Sequence, residues 1–320
     1  MHSDMAPLLC QLADPQAAAP PVPDDQLAAL CERAAAHRVG AVVLRKLRGR
    51  SGHPAIQALS DSVLPATALT LLLEHHARPI AHALHEQAAP AAIVKGGVFA
   101  RRLYPRPEDR PWSDIDILAA PEARDAIAAH LHAMGYRLVG RERSRQRSLE
   151  EKWHHPDVPN LLIELHGNLV HYPALRRRVN FGFAELMTAG AQDPEAPLAL
   201  FAIAVVHATL GHKLNELRLL VDALQAFRAL DAADRAALPS RMAALSLRLE
   251  AGLVLRLIGA LFDLPEAREA ALRVDPSRQG RVAAAIIRPR DVLIANGPRL
   301  RASHLRRHAF RLLQTRHLGR

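Results

Sequence analysis

Apolar positions between Gln26 and about Arg48 recur with helical spacing: Leu27, Leu30 and Ala34, then Val43, Leu44 and Leu47. Gly40 among them predicts two shorter helices, and SGHP at 51–54 predicts a stop. A further helical stretch is expected over roughly 55–88. The period changes at Pro90. AAIVKGG at 91–97 is a short apolar run closed by two glycines, the pattern of a buried strand entering a tight turn. VFARRLY at 98–104 reads as a short helix, PRPEDRP at 105–111 as a loop, and DIDILA at 114–119 as a second strand. PEARDAIAAHLHAMG at 121–135 is a marked helix, with Pro121 near its start and Gly135 as its stop. YRLVG at 136–140 reads as a short strand. The polar stretch 141–159 has no clear period and reads as a loop or a hairpin connection, and NLLIELHGNL at 160–169 is another strand. From Pro197 the pattern is helical, with breaks expected at Pro239, Pro265, Pro276, Pro289 and Pro298.

The expected fold class is therefore α/β (α+β): a small mixed sheet flanked by helices, with N-terminal and C-terminal helical regions. The expected divisions are 1–88, 89–195 and 196–320. A chain of 320 residues with 49% hydrophobic residues can bury a sizeable core, and its abundance of Ala, Leu and Arg favours helix. The longest apolar run, PLALFAIAVVHATLG at 197–211, falls short of the ~20 residues needed to cross a bilayer and reads as a buried helix. No membrane span is expected, and the first residues lack a basic start followed by an apolar core. Cys10 and Cys31 form no C-x-x-C pair, so neither a disulfide framework nor a cysteine zinc site is expected, and a cytoplasmic location fits. The net charge of +10 suits nucleic acid, an acidic partner or a phosphorylated ligand. Aromatic residues that could stack on bases make up only 4%, which disfavours nucleic acid.

The chemistry concentrates in SDIDIL at 113–118, where Asp114 and Asp116 interrupt an apolar run. On a strand, residues i and i+2 share a face, so the two carboxylates would project side by side and repel unless a cation lies between them. A hard divalent ion, Mg²⁺ or Mn²⁺, meets that need with oxygen ligands. Glu164, on a separate predicted strand, would complete a three-acid cluster if the strands are neighbours. Such a cluster suits two-metal phosphoryl or nucleotidyl transfer. Gly96 and Gly97, between a strand and a helix, would expose backbone N–H groups to a triphosphate, and Lys95, Arg102 and Arg110 could neutralise its charge.

The run VKGGVFARRLYPRPEDRPWSDIDIL resembles polymerase-β-type nucleotidyltransferases and, more narrowly, the bacterial family of uncharacterised nucleotidyltransferases. The matching residues are Lys95, Gly96, Arg102, Tyr104, Arg110, Ser113, Asp114, Asp116, Glu164 and His166, followed by His207, His212, Arg218 and Asp222; the likeness spans roughly 65–230. Two positions depart from the pattern. Gly97 stands where the wider superfamily often has Ser, and Gly167 where the family commonly has Trp. The resemblance implies transfer of a nucleoside monophosphate from an NTP, with ATP the first choice, to a small-molecule, peptide or protein acceptor, releasing pyrophosphate. Asp114 and Asp116 would ligate the metal. Glu164 would hold a second ion or take the acceptor's proton.

Other readings compete at several positions. The fold could serve an inactive binding or regulatory module of a biosynthetic or toxin–antitoxin system. A sugar transferase also uses D-x-D, but the helical pattern of 26–88 argues against it. If 197–224 is one helix, His207, Gly211, Arg218 and Asp222 share a face, either lining a cleft or forming a seam in which Arg218 pairs with Asp222. His166 could orient Glu164, contact the acceptor or simply be hydrogen-bonded beside the sheet. His154 and His155 read as exposed loop residues rather than metal ligands. The basic segment 299–320 reads as an amphipathic helix with Leu305, Phe310, Leu312 and Leu313 partly packed.

Overall fold

The computed structural model describes residues 5–50, 52–139, 149–294 and 300–315. Four helices lead: α1 (Met5–Ala13), α2 (Asp24–Ala36), α3 (Gly40–Lys46) and α4 (Pro54–Glu86). The break before Gly40 comes from Arg38, whose backbone turns left-handed at φ 57°. The α/β section follows: β1 (Ala91–Val94), α5 (Gly96–Leu103), β2 (Ile115–Ala119), α6 (Arg124–Ala133), β3 (Arg137–Leu138), β4 (Glu150–His155) and β5 (Val158–His166). Then come α7 (Pro173–Arg176), α8 (Phe183–Ala189), α9 (Pro197–Val206), α10 (Leu217–Arg228), α11 (Ala232–Ala244), α12 (Arg248–Leu261), α13 (Pro265–Val274), α14 (Arg278–Ile286), α15 (Pro289–Val292) and α16 (Leu300–Thr315).

The strands form one mixed sheet in the order β1-β2-β5-β4-β3. Its middle is the parallel pair β2 and β5; the other pairings are antiparallel. The hairpin alternative for 141–159 describes its second half, since β4 pairs with β5 across a two-residue turn. Residues 140–148 and the expected break at Pro298 lie outside the described residues. Pro239 sits inside α11 without ending it, whereas Pro265 and Pro289 open α13 and α15, where a missing N–H costs nothing.

Two apolar cores flank the sheet. One joins the sheet to α6 and to the middle of α4 through Leu73, Ile80, Ile117, Leu131, Tyr136 and Ile163. The other is larger and runs from α1–α3 through Phe99 of α5 to α9–α14. Each fully buried Leu or Ile is worth roughly 1.5–3 kcal/mol of transfer free energy. All of Leu198–Val206 is buried, as a helix surrounded by others must be. Among the described residues, α4 is the one helix long and apolar enough to cross a membrane, by length and composition. Here it serves as a spine: Ile56 and Leu59 pack in the larger core, Leu73, Ala77 and Ile80 against the sheet.

A buried ion pair fastens the sheet to the helices behind it. The Arg110 guanidinium donates to both Asp222 oxygens, at 2.7 and 2.9 Å, with side-chain exposures of 2% and 1%. Tyr104 donates its hydroxyl to the same Asp222 at 2.6 Å, and a third Arg110 nitrogen donates to the Gly96 carbonyl at 2.9 Å. The alternative in which Asp222 pairs with Arg218 is thereby corrected: Asp222 is fully used by Arg110 and Tyr104, and Arg218 lies 3.4 Å from Glu216. Asp222→Ala strands the guanidinium in a dry core and is expected to cost about 3–5 kcal/mol in denaturant titration. A double Arg110→Met, Asp222→Leu variant, which removes both charges, should lose much less. Equal losses would show that the pair is not what the region depends on.

Candidate active site

The site is built by strand register. Val94 is paired with Asp116 across β1 and β2, so the next residue, Lys95, leaves the sheet beside Asp116. On the other side, Asp116 is directly opposite Glu164 in the parallel β2–β5 pairing. The period of two then places His166 on the face of Glu164. Asp114 lies just before β2 and opens onto the same cleft, of about 720 Å³, together with Lys95, Gly96, Ser113, Asp116 and Glu164.

The turn from β1 to α5 is sharp. Lys95 has φ 57° and ψ −136°, and Gly96 has φ 26°. A non-glycine residue in such a conformation costs on the order of 1–3 kcal/mol and persists only where its surroundings insist on it. Lys95 is held on one side by Asp116, and Trp112 packs on the glycines that follow it. Its indole lies over both glycines, and a β-carbon at Gly97 would meet it at 2.9 Å. That contact explains why Gly97 carries no hydroxyl side chain. Trp112 is held in turn by α4, through its backbone N–H donating to the Thr70 hydroxyl at 2.9 Å.

Two lysines neutralise two of the three acids, and a histidine hydrogen-bonds to one of them. Lys95 Nζ lies 2.6 Å and His166 Nε2 2.8 Å from the same Asp116 oxygen. Burial alone would raise the Asp116 carboxyl, but Lys95 and then His166 overcome it and hold the group at about 2. Glu164 accepts from Lys152 Nζ at 2.8 Å and lies 3.5 Å from His166. Asp114 is different: burial and then the charge of Asp116 raise its carboxyl, with only partial relief from Lys95. The cluster therefore has an excess of negative charge concentrated on Asp114. Asp116, Glu164 and His166 each offer a ligand atom within 4.8 Å of the others. That set is two carboxylate oxygens and one ring nitrogen, with Asp114 bordering the same cleft outside it; the carboxylates are the part that suits a hard divalent ion.

The wall facing the acids comes from the helices. Helix α9 does not run on through α10, as a single helix over 197–224 would require. It ends in a π turn, His207–Gly211, and Lys213 and Leu214 then take left-handed conformations. His207, Gly211, His212 and Arg218 still border the cleft, while Asp222 is buried behind it. Burial and the nearby Lys95 keep His207 titrating well below the usual histidine range, so it is neutral at pH 7. Arg110 borders the cleft but is committed to Asp222. Arg102 does not share the cleft; its guanidinium lies 3.2 Å from Glu195. Gly97 likewise faces the groove on the other side of Trp112.

Several cleft residues carried no recognisable signal in the chain: Arg38 at the α2–α3 elbow, Trp112, Glu150, Lys152 and His171. His154 and His155 lie on β4 rather than in a loop, and His155 packs edge-on against Tyr136. The basic C-terminal helix is packed rather than free: Phe310 and Leu313 are buried, Leu305 and Leu312 are exposed, and Arg311 donates to the Leu210 carbonyl in the π turn.

A mixed sheet flanked by helices, with acids on adjacent strands opening into one cleft, is consistent with a nucleotidyltransferase fold. The chain belongs to the uncharacterised nucleotidyltransferase family, whose model matches residues 23–263. No curated protein matches the chain.

The two aspartates should affect stability with opposite signs. Asp116, depressed in the fold, stabilises above its unfolded value of about 3.9, and that contribution is lost as pH falls toward about 2. Asp114, raised in the fold, contributes most below about 4, and its contribution is lost as pH rises through its raised value. Metal-free Asp114→Asn should therefore melt at a higher temperature than the wild type at pH 7, with the gap closing at pH 4. A variant that melts lower at pH 7 would show that Asp114 is a structural acid.

Proposed function

We propose that this chain is a metal-dependent nucleotidyltransferase of the polymerase-β type, moving a nucleoside monophosphate from an NTP to an acceptor and releasing pyrophosphate. Family membership supports a transferase that uses an NTP and a divalent metal. The observation that carries the proposal is the convergence of Asp114, Asp116 and Glu164 on one cleft at the start of α5.

Asp114 and Asp116 would hold Mg²⁺ or Mn²⁺, with Glu164 completing the set or accepting the proton of the acceptor hydroxyl. The ion would supply charge neutralisation at the reacting phosphate. The chain's own cations supply the rest. The N–H of Gly96, which borders the cleft at the start of α5, suits a phosphate oxygen. Arg38 and Arg218 on the opposite wall suit the departing pyrophosphate, taking the part that Arg102 and Arg110 cannot play from their positions. Lys95 sits on Asp116 in the metal-free chain. It keeps that carboxylate ionised, and with Asp116 holding a divalent ion the same ammonium would be a cation for phosphate. A cleft of about 720 Å³ falls in the range typical of small-molecule sites, roughly 300–1,000 Å³. It suits a nucleotide with the reactive end of a small-molecule, peptide or protein acceptor. The basic charge of the C-terminal helix is turned partly to carbonyls of its own chain, which disfavours a nucleic-acid acceptor.

The test is transfer from α-labelled NTPs to metabolite and protein pools in Mg²⁺. Wild type should label an acceptor, with ATP first in order of preference, and Asp116→Asn or Glu164→Gln should lose at least about 100-fold. Labelling that survives both substitutions would refute the assignment, and so would calorimetry in which no NTP binds under any metal.

A further inference from the structure

Beside the proposed nucleotide-metal acids lies a second set of ligands, which shares His166 with them. The antiparallel register of β4 and β5 sets Glu150 opposite His166. After β5 the chain turns at Asn168, whose side-chain oxygen accepts from the Val170 N–H at 2.8 Å, and returns His171 to the same place. In the metal-free chain His171 Nδ1 donates to a Glu150 oxygen at 2.7 Å, a proton that a bound ion would displace, and the His166 and His171 imidazoles meet edge to face with centroids 5.3 Å apart. One ring nitrogen of each histidine and one Glu150 oxygen lie within 4.8 Å of one another.

The state of His166 distinguishes this set from a chance cluster. The ring is wholly buried, and its Nε2 faces Asp116 at 2.8 Å. An ionised carboxylate can only accept, so Nε2 carries the proton and donates it. In the neutral ring, Nδ1 is then a lone-pair nitrogen. It is buried and has no hydrogen bond among the described residues. Leaving such an acceptor unsatisfied costs about 1–3 kcal/mol. Histidines that ligate metals have this arrangement: one ring nitrogen donates to a carboxylate that fixes the tautomer, and the other is presented bare to the ion.

We propose that Glu150, His166 and His171 form a binding site for a borderline transition-metal ion such as Zn²⁺. Two imidazoles and one carboxylate are a three-ligand set with room for a water or substrate atom in the fourth position. Nitrogen donors favour Zn²⁺ or Co²⁺ over Mg²⁺, so this site and the carboxylate site select different ions. His166 links them, since the ring that ligates here also donates to Asp116. The site does not depend on whether the chain transfers nucleotides.

The test uses full-length protein stripped with chelator and titrated with Zn²⁺ in excess Mg²⁺ without nucleotide, with Co²⁺ as a spectroscopic probe. Wild type should take up one equivalent and give visible Co²⁺ bands. His171→Ala and Glu150→Gln should each weaken binding at least about tenfold, whereas Asp114→Asn should bind as wild type does. His171 is partly exposed, so its truncation should leave the melting curve nearly unchanged, and Glu150→Gln provides an independent arm with the fold intact. No uptake over Mg²⁺ overturns the proposal. Wild-type affinity in both ligand variants overturns it too, as does loss of binding in Asp114→Asn, which would place the ion among the nucleotide acids.

Discussion

The arrangement of this molecule depends on the charge of Arg110 being spent inside the protein. One guanidinium, shut away from water, simultaneously satisfies Asp222 on α10 and the carbonyl of Gly96 in the turn that opens the cleft. Its stack over the Phe99 ring, 5.2 Å from the centroid, sets α5 against the same group. Three separate pieces of chain are thereby placed relative to one another: the turn, the loop before β2 and the helix behind. Because a half-satisfied buried charge is so costly, these pieces have one low-energy arrangement rather than several.

That rigidity sustains a local conflict. Three carboxylates open onto one cleft, two of them set opposite one another by strand register and the third just before β2, and Lys95 and Lys152 neutralise two of them. The third, Asp114, carries the residual strain. An arrangement that is electrostatically incomplete by itself is expected where a positively charged ligand belongs, and strain held by a stable scaffold is a feature of functional sites. The left-handed Lys95 adds a conformational cost at the same spot, next to the glycines that the indole covers.

Much of this was legible in the chain because it is local. The apolar run ending in Lys95-Gly96-Gly97, the alternation around Asp114 and Asp116, and the embedded Glu164 each announce a strand or a turn within ten residues. The union of helix-strand-helix regions followed from the change of period at Pro90. What stayed hidden was long-range. Asp222 could be seen as a polar position on a helix, but four-residue spacing pointed to Arg218, while its true partner lies 112 residues away. The π turn after Val206 interrupts a stretch whose apolar pattern runs on without a break. Arg102 looked equivalent to Arg110 in the sequence, yet a helix sends residues eight apart to unrelated surroundings once the chain leaves it. Glu150, Lys152 and His171 belong to a polar stretch and a loop without period, and only the pairing of β4 with β5 gives them a common face.

Trp112 closes the back of the glycine turn and contacts both of its glycines. The chain has only one other tryptophan, Trp153, which is buried in β4 on the far side of β5 from the turn. An indole lodged against the backbone that would grip a phosphate senses any shift of that backbone through its own surroundings. The molecule thus carries a built-in optical reporter at the elbow, and the second indole serves as its internal reference.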